Sequence, residues 1–253
     1  MPSNDTSSCS FPFQEELKNF FFYQMERRTS ASLYGSAATG NWIAARSDLD
    51  VLILVSESQV ESLGKIIERW KVTPGHPILD GFALFFSRNI LMAKRLEEFH
   101  RQAHSAVSEI QLIDFWNMKY RSKHLFGTDF VKEFPQIELA DLSDWARREL
   151  GRYFGHTYSG EMPRIKLVLS KLIWSVSWVA RLLMLSRGMV CDSKKDALTW
   201  LAQEYIEIRE PVSLLLSDFY KSDTEPTAIT SNQSETLRGF LFKLAVKESG
   251  SSD

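Results

Sequence analysis

The sequence predicts an α+β protein: an N-terminal α/β domain with a small mixed sheet, followed by a C-terminal α-helical bundle. Three observations predict it. Short strand-type runs at 31–34, 50–55 and 78–86 alternate with a loop and a helical period. From residue 89 onward the apolar period is helical almost throughout. Between the two patterns, 128–141 carries Pro135 and reads as a boundary. The expected organisation is a disordered tail over 1–12, an α/β domain over 13–130 and a helical domain over 140–248.

The elements follow in order. Residues 13–27, FQEELKNFFFYQMER, space their apolar side chains as a helix does, and Thr29 and Ser30 begin a turn. A short strand follows over 31–34. Residues 35–47 are polar or small apart from Trp42 and Ile43, and lead into DVLILV over 50–55, a fully apolar strand. The next helix spans 56–70, with Ser56 suited to its N-cap. Pro74, Gly75 and Pro77 turn the chain into a third strand over 78–86. Helices are then expected at 90–104, 110–125, 143–156, 164–187, 194–204, 211–220 and 235–247, with Gly127 closing the second as a glycine C-cap would. Residues 221–234 read as a polar loop and 249–253 as a frayed tail.

Composition narrows the function. Of the 253 residues, 44% are hydrophobic and 12% aromatic, a composition that folds. Thirty Lys and Arg against 32 Asp and Glu give a net charge of -2, which leaves no basic footprint for nucleic acid. Cys9 and Cys191 stand apart with no Cys/His cluster, which argues against a disulfide scaffold or structural zinc. The N-terminus lacks the basic-then-apolar run of a signal peptide, so the expected location is cytoplasmic. Lys171 and Arg181 interrupt the most apolar stretch, which therefore reads as a buried helix rather than a membrane span.

The chemistry concentrates in LYGSAATGNWIAARSDLDVLILV, residues 33–55. Side chains two apart on a strand share a face, so Asp48 and Asp50 present their carboxylates together. Two like charges so placed need a cation between them, a shared proton or open water. Hard oxygen ligands in this number favour magnesium, which takes its remaining ligands from water and phosphate. Gly35 lets backbone approach a ligand, Ser36 offers a hydroxyl, and the residues after it can open a helix whose first amides face an anion. A simple cap of the loop before the strand is the alternative for the two aspartates.

Gly35-Ser36, the loop and Ser47-Asp48-Leu49-Asp50 ahead of an apolar strand resemble the signature of the nucleotidyltransferase superfamily built on the DNA polymerase beta fold. Within it the chain is most similar to the streptomycin/spectinomycin adenylyltransferases, the aminoglycoside enzymes that add a helical domain. YRSKHLFGTD, residues 120–129, and RLLMLSRGMVCDSKKDALTW, residues 181–200, extend the resemblance to roughly 30–200.

The resemblance implies metal-dependent transfer of a nucleoside monophosphate, AMP from ATP, to a hydroxyl of a small molecule held between the domains, with release of pyrophosphate. It implies two Mg2+ ions on Asp48 and Asp50, with Asp80 a further metal ligand or the base for the acceptor hydroxyl. Asp80 is the acid available on the third strand; its alternative is a turn with Gly81. Gly35, Ser36 and Ser47 would bind the nucleotide. Lys194 is a further candidate phosphate contact, although Ser193-Lys194-Lys195-Asp196 has the spacing of a capping box.

An aminoglycoside is the first acceptor to expect, with Glu204, Glu207 and Glu210 as candidate counter-charges or a merely solvated face. The rivals are the same chemistry on a protein, RNA or other drug, and a non-catalytic nucleotide sensor or antitoxin-like partner. No nucleic acid or membrane partner is expected, and the chain should be a monomer or homodimer. Trp174 and Trp178, one helical turn apart, read as core, or else as a stacking surface for a base or sugar. The five histidines form no metal set; His100 and His104, four apart on a helix, read as surface residues.

Overall fold

A computed structural model of the chain describes residues 14–24, 29–42, 49–54, 59–74, 84–86, 111–157, 169–221 and 228–249. The chain divides into two compact units, Met1–Ile137 and Glu138–Asp253.

The first unit is built on a four-stranded mixed sheet in the order β3-β2-β1-β4. Its strands are β1 (Ser30–Tyr34), β2 (Asp50–Leu54), β3 (Leu84–Phe86) and β4 (Lys123–Phe126). β1 runs antiparallel to β2 and β4, and β2 runs parallel to β3. Its helices are α1 (Gln14–Gln24), the short α2 (Gly35–Thr39), α3 (Val60–Val72) and α4 (Leu112–Arg121), with a 3-10 turn at Phe130–Glu133. Ala31 and Leu33 of β1 and Val51 and Ile53 of β2 share one face, and all four are fully buried against Leu17 and Phe21 of α1 and Leu63, Ile66 and Trp70 of α3. Trp70 sits edge-on to Phe20, with centroids 5.0 Å apart, and lies nearly parallel to Phe21. Burying each such ring stabilises the fold by about 1.5–3 kcal/mol, so this layer fixes the register that brings Tyr34 opposite Asp50.

Two expectations change here. The helix expected over 56–70 runs to Val72, with Gln59 at its N-cap, while Ser56 lies outside the described residues. It stops at Thr73, extended at ψ 120 because the following Pro74 disfavours helical backbone there. The helix expected over 110–125 ends at Arg121. Ser122 is extended and Lys123–Phe126 joins the sheet edge beside β1, so Gly127 closes a strand rather than a helix. The helix expected over 90–104, with His100 and His104, lies outside the described residues, as does Cys9.

The second unit is helical: α5 (Leu139–Thr157), α6 (Leu169–Ser186), α7 (Lys194–Glu204), α8 (Arg209–Ser217) and α9 (Ser231–Ser249), with a 3-10 turn at Ile206–Ile208. Leu142, Trp145, Ala146 and Leu150 of α5 form one buried stripe. α6 packs between α5 and α7. α5 starts four residues earlier than its expected 143–156, because Asp141 reaches back to accept from Glu138 N at 3.1 Å. α8 spans Arg209–Ser217 instead of 211–220. Thr230 and Gln233 form a reciprocal cap that starts α9 at Ser231, inside the segment expected as a loop. No helix among the described residues is long and apolar enough to cross a membrane.

Candidate active site

The Gly-Ser turn is set by the end of β1. Tyr34 is the extended N-cap residue of α2, and Gly35 takes φ 65, a left-handed conformation that side chains disfavour. Space excludes them as well: a Cβ on Gly35 would stand 2.8 Å from Cγ of Asp50 and nearer still to its carboxylate oxygen. Register explains the approach, since Tyr34 pairs with Asp50 across β1 and β2. The glycine is therefore required where the turn passes the acid.

α2 is held down by buried Ala37 and Ala38 and closed by its own carbonyls. Ser36 O accepts from Asn41 N at 2.9 Å, and Thr39 Oγ1 donates to Gly35 O at 3.2 Å. Its first amides lack intrahelical acceptors, as at any helix start. Asp50 is half-buried at the head of β2, followed by fully buried Val51, Leu52 and Ile53. A carboxylate, a half-buried serine and the beginning of a short helix thus meet at the end of the two central strands.

Ser47, Asp48 and Asp80 lie outside the described residues. Among those described, no three His, Cys, Asp or Glu side chains cluster as a metal set would. Lys194 is the first residue of α7 in the second unit. Beside it Ser193 is the N-cap, its Oγ accepting from Asp196 N at 3.0 Å and donating to Asp196 Oδ2 at 2.7 Å, a side-chain bond where a full capping box has the return bond to the Ser193 amide.

The remaining candidates of the helical unit divide. Trp178 packs edge-on against Trp145, whereas Trp174, stacked on Trp178 with planes 10° apart, is 48% exposed and so is not core. Glu204 accepts from Arg187 Nη1 at 3.0 Å and Glu210 from Gln233 Nε2 at 3.2 Å. Glu207 stands exposed in a 3-10 turn. Glu204 is therefore an ion-pair partner within its own unit.

Two features were missed from the sequence. Tyr34, opposite Asp50, follows directly from counting back along an antiparallel pair, had that pairing been assumed. Arg187 gathers Glu204, Tyr205 and Glu248 from three places in the chain, a convergence with no local signal.

Residues 16–121 match the family model described as a nucleotidyltransferase domain. No curated protein sequence matches the chain. Among solved structures, the chain is similar to the spectinomycin adenyltransferase AAD(9) from Enterococcus faecialis, crystallised with ATP and spectinomycin. The identity is 16%, the TM-score 0.60, and the match covers 92% of this chain and 98% of that one. Residues 16–121 thus match a nucleotidyltransferase domain, and over nearly its whole length the chain shares the fold of that spectinomycin adenyltransferase, the fold expected from the resemblance carried by Gly35-Ser36 and Ser47-Asp48-Leu49-Asp50.

Proposed function

We propose that the protein transfers AMP from ATP to a hydroxyl of a small molecule, an aminoglycoside-type acceptor first, with release of pyrophosphate. The observation that carries this reading is the contact between the left-handed Gly35 and the carboxylate of Asp50, which joins the Gly-Ser turn to the strand acid within a nucleotidyltransferase domain. The similar structure holds ATP and spectinomycin, which supports this donor and class of acceptor.

Asp50 is a hard oxygen donor of the kind magnesium accepts, and the Asp-x-Asp spacing suits Asp48 to act beside it. On this reading Asp48, Asp50 and Asp80 hold two magnesium ions, which when bound supply charge to the reacting phosphate and to the attacking and leaving oxygens. Ser36 and the first amides of α2 bind the departing β- and γ-phosphates, with Ser47 and Lys194 as further contacts. Gly35 keeps that turn close to Asp50. Asp80 takes the proton from the acceptor hydroxyl as the oxygen attacks the α-phosphate, and the bond from that phosphorus to the bridging oxygen breaks. Positioning and charge stabilisation account for most of the rate.

The test is incubation with magnesium and each labelled nucleoside triphosphate across aminoglycosides, lincosamides and a proteome extract, following label and pyrophosphate together. Asp50→Asn should lower transfer by about a hundredfold or more, the range for a lost charge-stabilising group. Label on a protein or RNA would keep the reaction and change the acceptor. Binding of nucleotide with no transfer to anything would replace the enzyme by a sensor.

A further inference from the structure

Thr39, the half-buried last residue of α2, turns its hydroxyl back on the Gly-Ser turn. Its Oγ1 lies 3.2 Å from Gly35 O and 3.3 Å from Ser36 O and donates to these two carbonyls. Asn41 Nδ2 donates to the same hydroxyl oxygen at 3.1 Å, so an acceptor position of the hydroxyl is filled from beyond the helix and its single proton is left for the carbonyls. Side-chain bonds from a threonine to the carbonyl four residues back are common in helices. The carbonyl that receives this one is that of the glycine beside Asp50.

Gly35 holds φ 65, where Asp50 leaves no room for a Cβ. The same lack of a Cβ leaves the following peptide free to swing, because glycine restricts its own backbone least. The Gly35-Ser36 peptide is planar, and in the trans form its carbonyl and the Ser36 N–H point in opposite directions. A donor that holds Gly35 O therefore also aims the Ser36 N–H, and with it the Cα that carries the Ser36 hydroxyl. Ser36 O is held as well: it accepts from Gly40 N at the end of α2, from Asn41 N at 2.9 Å and from Thr39 Oγ1. Both peptide planes that flank Ser36 are thus fixed from the Thr39 end of α2, while Asp50 confines the turn from the strand side.

We infer that Thr39, set by Asn41, is a positioning residue that locks the Gly35-Ser36 peptide in the orientation with which Ser36 meets the β- and γ-phosphates. The inference rests on the phosphate-binding role given to Ser36 above. In this role Thr39 touches no phosphate; it acts through the carbonyls of Gly35 and Ser36. Ligands then differ in whether they feel its loss: ATP and inorganic pyrophosphate carry the phosphates that Ser36 serves, and AMP does not.

The test is the dissociation constants of ATP, inorganic pyrophosphate and AMP on the full-length protein in magnesium, by calorimetry for ATP and by displacement of ATP for the other two. Thr39→Val, which keeps the shape and loses the hydroxyl, should weaken ATP and pyrophosphate about fivefold, the effect of about one hydrogen bond, and AMP by less than about 1.5-fold. Thr39→Ser, which restores the donor, should return ATP and pyrophosphate to within about 1.5-fold of the wild type. Asn41→Ala, outside the helix, should move both in the same direction as Thr39→Val by about twofold. Equal weakening of all three ligands in Thr39→Val, or a loss in Thr39→Ser as large as in Thr39→Val, would reduce Thr39 to a stop for α2. Unchanged ATP affinity in Thr39→Val, or in Asn41→Ala if Thr39→Val does not fold, would overturn the inference while leaving the Ser36 role standing, provided that Ser36→Ala weakens ATP and pyrophosphate. Unchanged binding of both in Ser36→Ala would remove that role and this inference with it.

Discussion

At the residue scale, two of the described glycines combine a left-handed backbone with no room for a side chain, and one of these two belongs to the candidate site. Gly35 and Gly127 both adopt positive φ, 65 and 79. A Cβ on Gly35 would meet a side chain, the Asp50 carboxyl group, whereas one on Gly127 would meet backbone, including Ser30 Cα at 2.7 Å. A side chain can move aside at the expense of its own function; a strand backbone moves only with the sheet. Gly35→Ala is therefore expected to destabilise by about 1–3 kcal/mol from backbone strain but to cut nucleotide transfer by about a hundredfold through displacement of Asp50. Gly127→Ala should show the reverse balance, with the larger loss of stability and the smaller loss of turnover per folded molecule. Urea unfolding and transfer rates on the two variants separate the cases; equal losses of activity per folded molecule would remove the special place of Gly35. The Gly-Ser pair and Asp50 were legible because a strand period and a turn residue are local signals. The closeness of Gly35 to Asp50 was not, because it depends on the pairing of Tyr34 with Asp50 across a loop.

At the element scale, what could be read depended on how far away each element finds its partners. α7 matches its expected span of 194–204 residue for residue, since its start is decided by a cap within four positions. β4 was hidden inside a helical period because Leu125 and Phe126 bury their side chains against β1, whose residues lie more than ninety positions earlier. The junction of α6, α7 and α9 is equally non-local, and it makes a prediction about pH. Burial raises the Tyr205 pKa above its ordinary 10.0, against the opposing pull of the Arg187 charge. Burial also works to lower the Arg187 pKa, but its hydrogen bond and charge interaction with Glu248, together with Tyr205, carry it upward on balance. A folded-state pKa raised above the unfolded one means that the neutral phenol contributes stability in full below pH 10, and that this contribution is lost as pH rises through the raised value. Raising the pH from about 8 to about 11 should therefore lower the urea midpoint of the wild type more than that of Tyr205→Phe, which has no proton to lose. Parallel curves for the two proteins would show that the phenol is not held neutral by the fold.

At the scale of the whole molecule, the two units differ in what they offer a nucleotide. The end of the central strands β1 and β2, with α2, joins an acid, a hydroxyl and helix-start amides, whereas the described helical unit buries apolar stripes and pairs Arg187 within itself. The net charge of -2 gives no general attraction for a triphosphate, so binding must come from local groups and from the cation that accompanies it. A ligand that binds only the folded form stabilises it by about 2.7 kcal/mol at a hundred times its dissociation constant. Amides that open only through local unfolding of the binding region should then exchange up to about a hundredfold more slowly. Hydrogen exchange followed by mass spectrometry, with magnesium and ATP at saturation, should thus slow exchange in 29–42 and 49–54, and Asp50→Asn should remove most of that protection. Residues 194–204 should show a smaller slowing that disappears in Lys194→Ala, because one charge at a helix start contributes less than the turn, the strand and the cation together. Protection confined to 138–253 would place nucleotide binding in the helical unit and overturn the role given to Gly35, Ser36 and Asp50.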